Sequence, residues 1–194
     1  MIIDHLHKEH CNIEKLLRVL EQELDVFDRG DQPDYEAIHA VISYFEVYIS
    51  SFHHPQEDLL FERLKKLDPT AASSVGDLAA EHSSGNDRLR RVSHAVESVL
   101  MDHVIPRSMI VGIIRDFISH EREHITMEER IFFPAALKAL CPEDWVELGS
   151  RMTNSKDPLF SVSVEERFEA VRQRILLLEQ EAAAVRGVAS GEAA

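Results

Sequence analysis

The sequence predicts an all-α protein, an up-down-up-down four-helix bundle with one or two additional C-terminal helices. Apolar residues recur at helical spacing along four long segments, and no strongly alternating pattern indicates strands. The chain of 194 residues contains only seven glycines and seven prolines, so few positions interrupt a helix. Short connections make neighbouring helices antiparallel, and this gives the bundle its topology.

The first two helices are separated by a turn that contains both Gly and Pro. We predict helices over residues 3–27 and 34–67, because the intervening sequence 28–33, Asp-Arg-Gly-Asp-Gln-Pro, stops one helix and starts the next. Pro55 falls inside the second helix and removes a backbone donor there. We therefore predict a kink or a local bulge at this position.

The third and fourth helices each begin at a proline-containing segment. Residues 68–70, Asp-Pro-Thr, open the third helix, which we predict to run to about Met101. Pro106 opens the fourth helix, which continues to about Leu140. These four helices make up a predicted bundle domain over residues 1–140.

The C-terminal part of the chain is predicted to be a helical extension, residues 141–185, that packs on the bundle. A short helix is followed by an irregular stretch, 153–162, and then by an amphipathic helix over about 164–184. Residues 186–194 form a small polar tail that we expect to be frayed.

Composition and charge restrict the classes of partner. The formal net charge is -14 and the pI is about 5.2, so phosphate groups of nucleic acids or anionic membranes would be repelled. The N-terminus lacks a signal-peptide pattern, and no apolar run is long enough to span a membrane. Two cysteines, Cys11 and Cys141, make no disulfide framework. We therefore expect a cytoplasmic protein that binds neither nucleic acid nor membrane.

Two segments repeat a histidine followed four residues later by a glutamate, His53 with Glu57 and His124 with Glu128. Residues four apart lie on the same face of a helix, so each pair offers an imidazole and a carboxylate to one point. His10 and His82 lie on the other two helices. Four histidines and two glutamates inside a bundle are a ligand set suited to a pair of iron ions.

Helix length tests whether these residues share one layer. At 1.5 Å rise per residue, His10 lies roughly 27 Å and His53 roughly 30 Å from the first turn. From the second turn, His53 lies roughly 21 Å back along one helix and His82 roughly 18 Å on along the next. From the third turn, His82 lies roughly 28 Å back and His124 roughly 26 Å on. The pattern therefore predicts one metal-binding layer.

This pattern, which ends in Ile-Phe-Phe-Pro at residues 131–134, resembles the hemerythrin-like (HHE cation-binding) proteins over roughly residues 1–140. The resemblance implies a four-helix bundle with two non-haem iron ions, bridged by carboxylates and an oxygen species in an Fe-O-Fe type centre. Zinc or manganese are possible substitutes for iron. The resemblance also implies that O2, NO or peroxide is the small-molecule ligand. It further implies that the protein binds oxygen, responds to oxygen, NO or redox state, or handles iron.

Carried over by position, the resemblance makes His10, His53, His82 and His124 terminal ligands and Glu57 and Glu128 bridging ligands. Oxygen-carrying hemerythrins place an HxxxH pair on the third helix, and this chain has Leu78 and Asn86 four residues before and after His82. A further ligand is therefore needed, and His54, His120 and Glu14 are the alternatives. The candidate metal ligands are His10, His53, His54, Glu57, His82, His120, His124 and Glu128.

Three functions fit these residues. The first is a binding or sensing protein without turnover, and the second is a di-iron oxidase or peroxidase, which the same ligands would serve. The third is a metal-free helical interaction module in which the last helix docks on a partner or forms a homodimer. Metal content separates the third function from the others, and steady-state turnover separates the first two.

Overall fold

The computed structural model describes residues 2–152, 156–161 and 164–191, with side chains described as far as Gln180. Most of these residues are helical, and there is no β-strand among them. The predicted all-α bundle with additional C-terminal helices is confirmed.

The first two helices follow the predicted boundaries closely. Helix α1 spans Ile2–Asp28, and Gly30 in the following turn has a φ of 88°, which favours glycine. The four long helical segments of the bundle are called rods below. The second rod is continuous, but its helix type changes along its length. It comprises α2 (Tyr35–Tyr44), a π-helical segment (Phe45–His53) and α3 (His54–Leu67).

The third predicted helix is in fact two helices, so the prediction of a single helix from residue 68 to about Met101 was wrong. Helix α4 spans Pro69–Val75 and α5 spans Leu78–Leu100. Gly76 between them has a φ of 94°, which a continuing helix does not allow. The side chain of Asp77 then accepts a hydrogen bond from Ala80 N and caps the start of α5.

The fourth rod comprises α6 (Arg107–Met127), a second π-helical segment (Glu128–Phe132) and α7 (Phe133–Ala139). Each π-helical segment ends at the second residue before a proline, Pro55 in one rod and Pro134 in the other. A proline lacks the N–H for the regular bond to the residue four before it, and a wider turn accommodates that loss. The irregularity predicted at Pro55 is confirmed, whereas the second one was not predicted.

The C-terminal part contains α8 (Pro142–Arg151), a 3-10 turn (Glu166–Phe168) and α9 (Glu169–Gly191). Phe168 is fully buried, and Arg174 donates to buried Glu23 of α1 over 3.0 Å, so α9 packs on the bundle. Of the predicted irregular stretch 153–162, residues 153–155 and 162 lie outside the described residues. The backbone is helical to Gly191, and residues 192–194 of the predicted tail also lie outside them.

Two separate apolar clusters form the core. One contains Leu20, Phe45 and Phe117, and the other contains Leu60 and Phe132. On each of the four rods the histidines and glutamates predicted as ligands lie between members of the two clusters, whereas buried Glu23 lies among members of the first cluster. A buried polar layer therefore crosses the bundle. No helix in the described part of the chain has the length and apolar character needed to cross a membrane.

Candidate metal centre

The six residues predicted to share a layer come together in one buried cluster. His10 is 3% exposed, His53 1%, and Glu57 and Glu128 are fully buried. His82 and His124 are also buried. That these side chains ligate a metal stays a prediction, but their convergence is a property of the fold.

The two carboxylate oxygens of Glu57 face different histidines. Oε1 lies 3.2 Å from Nε2 of His10 and 3.3 Å from Nε2 of His53. Oε2 lies 3.6 Å from Nε2 of His82. Glu57 therefore lies between two groups of imidazoles and offers one oxygen to each.

Glu128 is arranged in the same way from the opposite rod. Its Oε2 lies 3.3 Å from Nε2 of His10, and its Oε1 lies 3.3 Å from Nε2 of His124 and 3.8 Å from Nε2 of His82. His10 therefore belongs to one side of the cluster, and His82 and His124 belong to the other.

Of the three alternatives for a further ligand, the structure places only His54 inside the cluster. His54 is buried, and one of its ring nitrogens lies within 4.8 Å of ligand atoms of Glu57, His82 and His124. His120 is only partly buried, and its ring centroid is 6.3 Å from that of His124. Glu14 instead accepts hydrogen bonds from Arg122 and Arg18 at the surface.

The cluster passes two tests of fit to metal ions. Ligand atoms about 2.1 Å from one ion lie roughly 3.0 Å apart when they subtend a right angle, close to the shorter separations observed here. Several buried atoms also lack any hydrogen-bond partner in the structure, namely Oε2 of Glu57, Nε2 of His82, both oxygens of Glu128 and both ring nitrogens of His124. Such atoms are costly to bury unpaired, and a cation would satisfy the acceptors among them.

Three carboxylates outside the cluster orient the histidines. Nδ1 of His10 lies 2.8 Å from Glu129, Nδ1 of His82 lies 3.0 Å from Asp58, and Nδ1 of His53 lies 3.0 Å from Glu9. A proton on Nδ1 leaves Nε2 of each ring as an acceptor that faces the cluster. Sequence reasoning missed these residues, although each is adjacent in the chain to a candidate ligand.

The charges inside the cluster are strongly coupled. Burial disfavours the charge on His10, but the neighbouring carboxylates of Glu128 and Glu57 outweigh burial and raise the pKa of His10 to about 11. His82 follows the same pattern, with Asp58 as its strongest partner, and its pKa is also raised to about 11. In the metal-free protein, protons on these histidines therefore balance the charge of the carboxylates. A metal ion must displace those protons to bind.

Glu121 is a further buried carboxyl that sequence reasoning missed. It is 4% exposed, and burial together with the charge of Glu128 raises its pKa to about 7. A Cβ added to Gly85 of α5 would lie 3.1 Å from Oε1 of Glu121, so glycine at this position allows α5 and α6 to approach closely. The signal for Glu121 in the sequence was its position one helical turn before His124.

A surface cleft of about 750 Å³ between α1 and α6 reaches the cluster. Of the candidate ligands, only His10 lines this cleft. Glu129 also lines this cleft, and one of its oxygens lies 2.8 Å from Nδ1 of both His7 and His10.

The fold and this site together define a class, a helical-bundle protein with a buried cluster of histidines and carboxylates that could hold a metal. Among the described residues, two groups have metal-ligand geometry, His54, Glu57, His82 and His124 in one and His10, His53 and Glu57 in the other. The family model described as the hemerythrin HHE cation binding domain matches residues 1–136, and the chain belongs to this family. Neither a curated protein nor a solved structure gave a significant match.

Proposed function

We propose that the protein holds two non-haem iron ions in this cluster. The observation that carries the proposal is the division of the carboxylate oxygens, since Glu57 and Glu128 each direct one oxygen to His10 and the other toward His82. A single ion would not need two carboxylates that each face both sides of the cluster. Two adjacent ions would use all four oxygens.

The division of the cluster assigns ligands to each ion. His10 and His53 would hold the first ion, and His54, His82 and His124 would hold the second, with Glu57 and Glu128 shared between them. Imidazole and carboxylate without thiolate suit iron, manganese or zinc, and a shared site with at least six N and O ligands favours iron over tetrahedral zinc. His53 is anchored through Glu9, and His10 and His82 are anchored through Glu129 and Asp58.

The function that follows is binding of, or response to, O2, NO or redox state. Iron held in this cluster would supply a redox-active pair able to react with these small molecules. The chain excludes bulk water through buried aromatic residues, because Phe133 stacks on His10 at a centroid distance of 5.3 Å and Phe132 is fully buried. The cleft that ends at His10 provides an entrance of suitable size for a small ligand.

We place this function in the cytoplasm as part of the same proposal. Cys11 and Cys141 are both free and exposed thiols, which suit a reducing compartment. The acidic composition is also compatible with a cytoplasmic protein.

Metal analysis tests the proposal. Protein purified from iron-replete cells should contain two irons per chain, with absorption that changes when O2 or NO is added. Glu57→Ala and His124→Ala should each lose one or both ions, whereas His94→Ala, which changes an exposed histidine, should keep both. Unchanged iron content in both cluster variants would refute the assignment.

Two further measurements separate the alternatives. Steady-state turnover of peroxide with a reductant would identify an enzyme rather than a binding protein. A chain that folds fully and binds no metal would instead be a helical interaction module.

A further inference from the structure

A buried tyrosine is connected to the metal cluster by hydrogen bonds. The hydroxyl of Tyr48 donates to Oε1 of Glu9 over 2.7 Å, and Oε2 of the same carboxylate lies 3.0 Å from Nδ1 of His53. Tyr48 is 2% exposed and Glu9 is 4% exposed, so both groups are buried. Glu9 alone is sufficient to orient His53, so the hydrogen bond from Tyr48 to Glu9 is not explained by that role.

A second tyrosine repeats the arrangement farther from the cluster. The hydroxyl of Tyr44 donates to Oδ2 of Asp157 over 3.1 Å, and the rings of Tyr44 and Tyr48 have centroids 5.5 Å apart. Burial is the main cause that raises the pKa of both phenols, so both carry their protons at neutral pH. The two phenols are in contact and each has its own carboxylate acceptor. Together they form a series of contacts that begins at His53 and extends away from the cluster.

Of the two tyrosines, Tyr48 is the one that small molecules can reach. A cavity of about 120 Å³ is lined by Glu9, Tyr48, Asp157 and Phe160, among others, and it includes exposed side chains of α1. Tyr44 itself lies against Phe160 and Phe168. These phenylalanines shield the phenol but are much harder to oxidise than tyrosine.

We propose that Tyr48, with Tyr44 in contact with it, forms a one-electron relay between the metal cluster and a small reductant that enters this cavity and meets Tyr48 there. The relay rests on the iron pair of the proposed function, because it requires a redox-active metal at His53, and it extends that function from binding to turnover of peroxide. The oxidant is a peroxide, and the reductant is of the ascorbate class.

The electrons and protons balance as follows. When bound, iron would supply two electrons to hydrogen peroxide, which takes two protons from solvent and becomes two water molecules. Tyr48 would give one electron back toward the cluster, and its O–H bond breaks as its proton moves to Oε1 of Glu9. Tyr44 exchanges an electron with the Tyr48 radical, and its own proton then moves to Asp157 while Tyr48 recovers its proton from Glu9; the reverse exchange returns the radical to Tyr48. One electron from the reductant restores Tyr48, which recovers its proton from Glu9, and a second passage completes the reduction.

The carboxylates are essential to this chemistry. Removing an electron from a phenol makes its proton strongly acidic, so the step is easy only when an acceptor lies within hydrogen-bond distance. Both tyrosines meet that condition in the folded chain. The only tryptophan, Trp145, packs against the other apolar cluster and has no part in this chain of contacts.

The experiment compares four forms of the iron-loaded protein, each frozen within seconds of mixing with hydrogen peroxide and examined by electron paramagnetic resonance. The chain has three tyrosines, so the variants Tyr48→Phe, Tyr44→Phe and Tyr35→Phe account for all of them. Tyr35 packs against Phe27 near the start of α2 and serves as the matched control. Iron content and thermal melting are measured for each form.

We expect a tyrosyl radical signal in the unmodified protein that narrows when the tyrosines are ring-deuterated. The signal should be lost in Tyr48→Phe and retained in Tyr35→Phe. In Tyr44→Phe the radical should still form on Tyr48 and should still decay faster when ascorbate is added, because Tyr48 lines the cavity. Ring deuteration identifies a tyrosine without any substitution, so the test stands even if Tyr48→Phe folds poorly.

Two results would overturn the relay. One is an iron-loaded protein that consumes peroxide without a tyrosyl signal, and the other is a signal that persists in Tyr48→Phe. Failure of the proposed function is seen separately, because metal analysis would then find no iron before any peroxide is added.

Discussion

The imidazole rings of His54 and His82 are stacked, with centroids 4.1 Å apart and planes 12° from parallel. Burial is the main cause that lowers the pKa of His54 well below its usual range, and the charge of His82 adds to this effect. His54 is therefore neutral at pH 7 and can offer a lone pair to a metal. Stacking also holds both rings in one orientation.

The first prediction concerns this further ligand. His54→Ala should lose one of the two irons, because its ring lies among Glu57, His82 and His124. His120→Ala should keep both, because His120 lies outside that group and instead contacts the Gly85 region of α5. Iron stoichiometry and oxygen-dependent absorption are the measurements. Loss of iron in the His120 variant alone would reverse the choice, and two irons in both variants would assign the position to solvent.

The second prediction concerns the two π-helical segments. His54 N–H bonds to Ile49 O and Phe133 N–H bonds to Glu128 O, in each case five residues back. Pro55→Ala and Pro134→Ala restore a backbone donor, so each wide turn should narrow and rotate the ligands on its rod. We expect weaker iron binding with nearly unchanged helix content. Competition with a chelator measures affinity, circular dichroism measures helix, and unchanged affinity in both variants would contradict the prediction.

The third prediction concerns Glu121. Its pKa is raised to about 7 in the folded chain from a usual value of 4.5, so the folded state of the metal-free protein binds this proton more tightly than the unfolded state. Stability is therefore lost as pH rises through the window between these values, and the penalty is complete above pH 7.

Glu121→Gln removes that penalty. The gain in the free energy of unfolding should be small at pH 4.5 and should reach at most about 3 kcal/mol at pH 8. Urea unfolding of the metal-free protein at the two pH values measures it. Glu123→Gln, at an exposed position two residues away, is the control. An equal effect of Glu121→Gln at both pH values would show that the pKa is not raised.

The fourth prediction concerns the C-terminal extension. Phe168 is fully buried, and its ring meets that of Tyr44 at a centroid distance of 5.8 Å. Phe168→Ala should lower the free energy of unfolding by about 3–5 kcal/mol, because it leaves a cavity beside the bundle. Leu176→Ala, at an exposed position on α9, should have little effect. Denaturant unfolding measures both, and equal stabilities would mean that the extension does not stabilise the bundle.

Much of the fold follows from local signals in the sequence. Apolar residues at helical spacing and the Gly and Pro residues between them predicted the four rods and their antiparallel order. Rise per residue then predicted that His10, His53, His82 and His124 share one layer, because an unbroken helix keeps a fixed relation between sequence distance and depth. For His82 this relation holds from the third turn, along α5. The break at Gly76 was missed, although Gly76 with Asp77 after it was a signal that a helix ends and a new one begins.

The tertiary structure alone decided how the side chains in that layer are arranged. Spacing placed Glu57 and Glu128 at the right depth, but only the packed rods show that each carboxylate lies between two groups of histidines. The site also includes four further carboxylates, Glu9, Asp58, Glu129 and Glu121. They act on residues that are distant from them in sequence, while their neighbours in the chain point in other directions. Helical periodicity fixes the direction of a side chain relative to its own helix, whereas a site is fixed by the rotation of each helix relative to its partners. That rotation depends on side-chain packing and on the π-helical turns before Pro55 and Pro134, so it is a property of the assembled bundle.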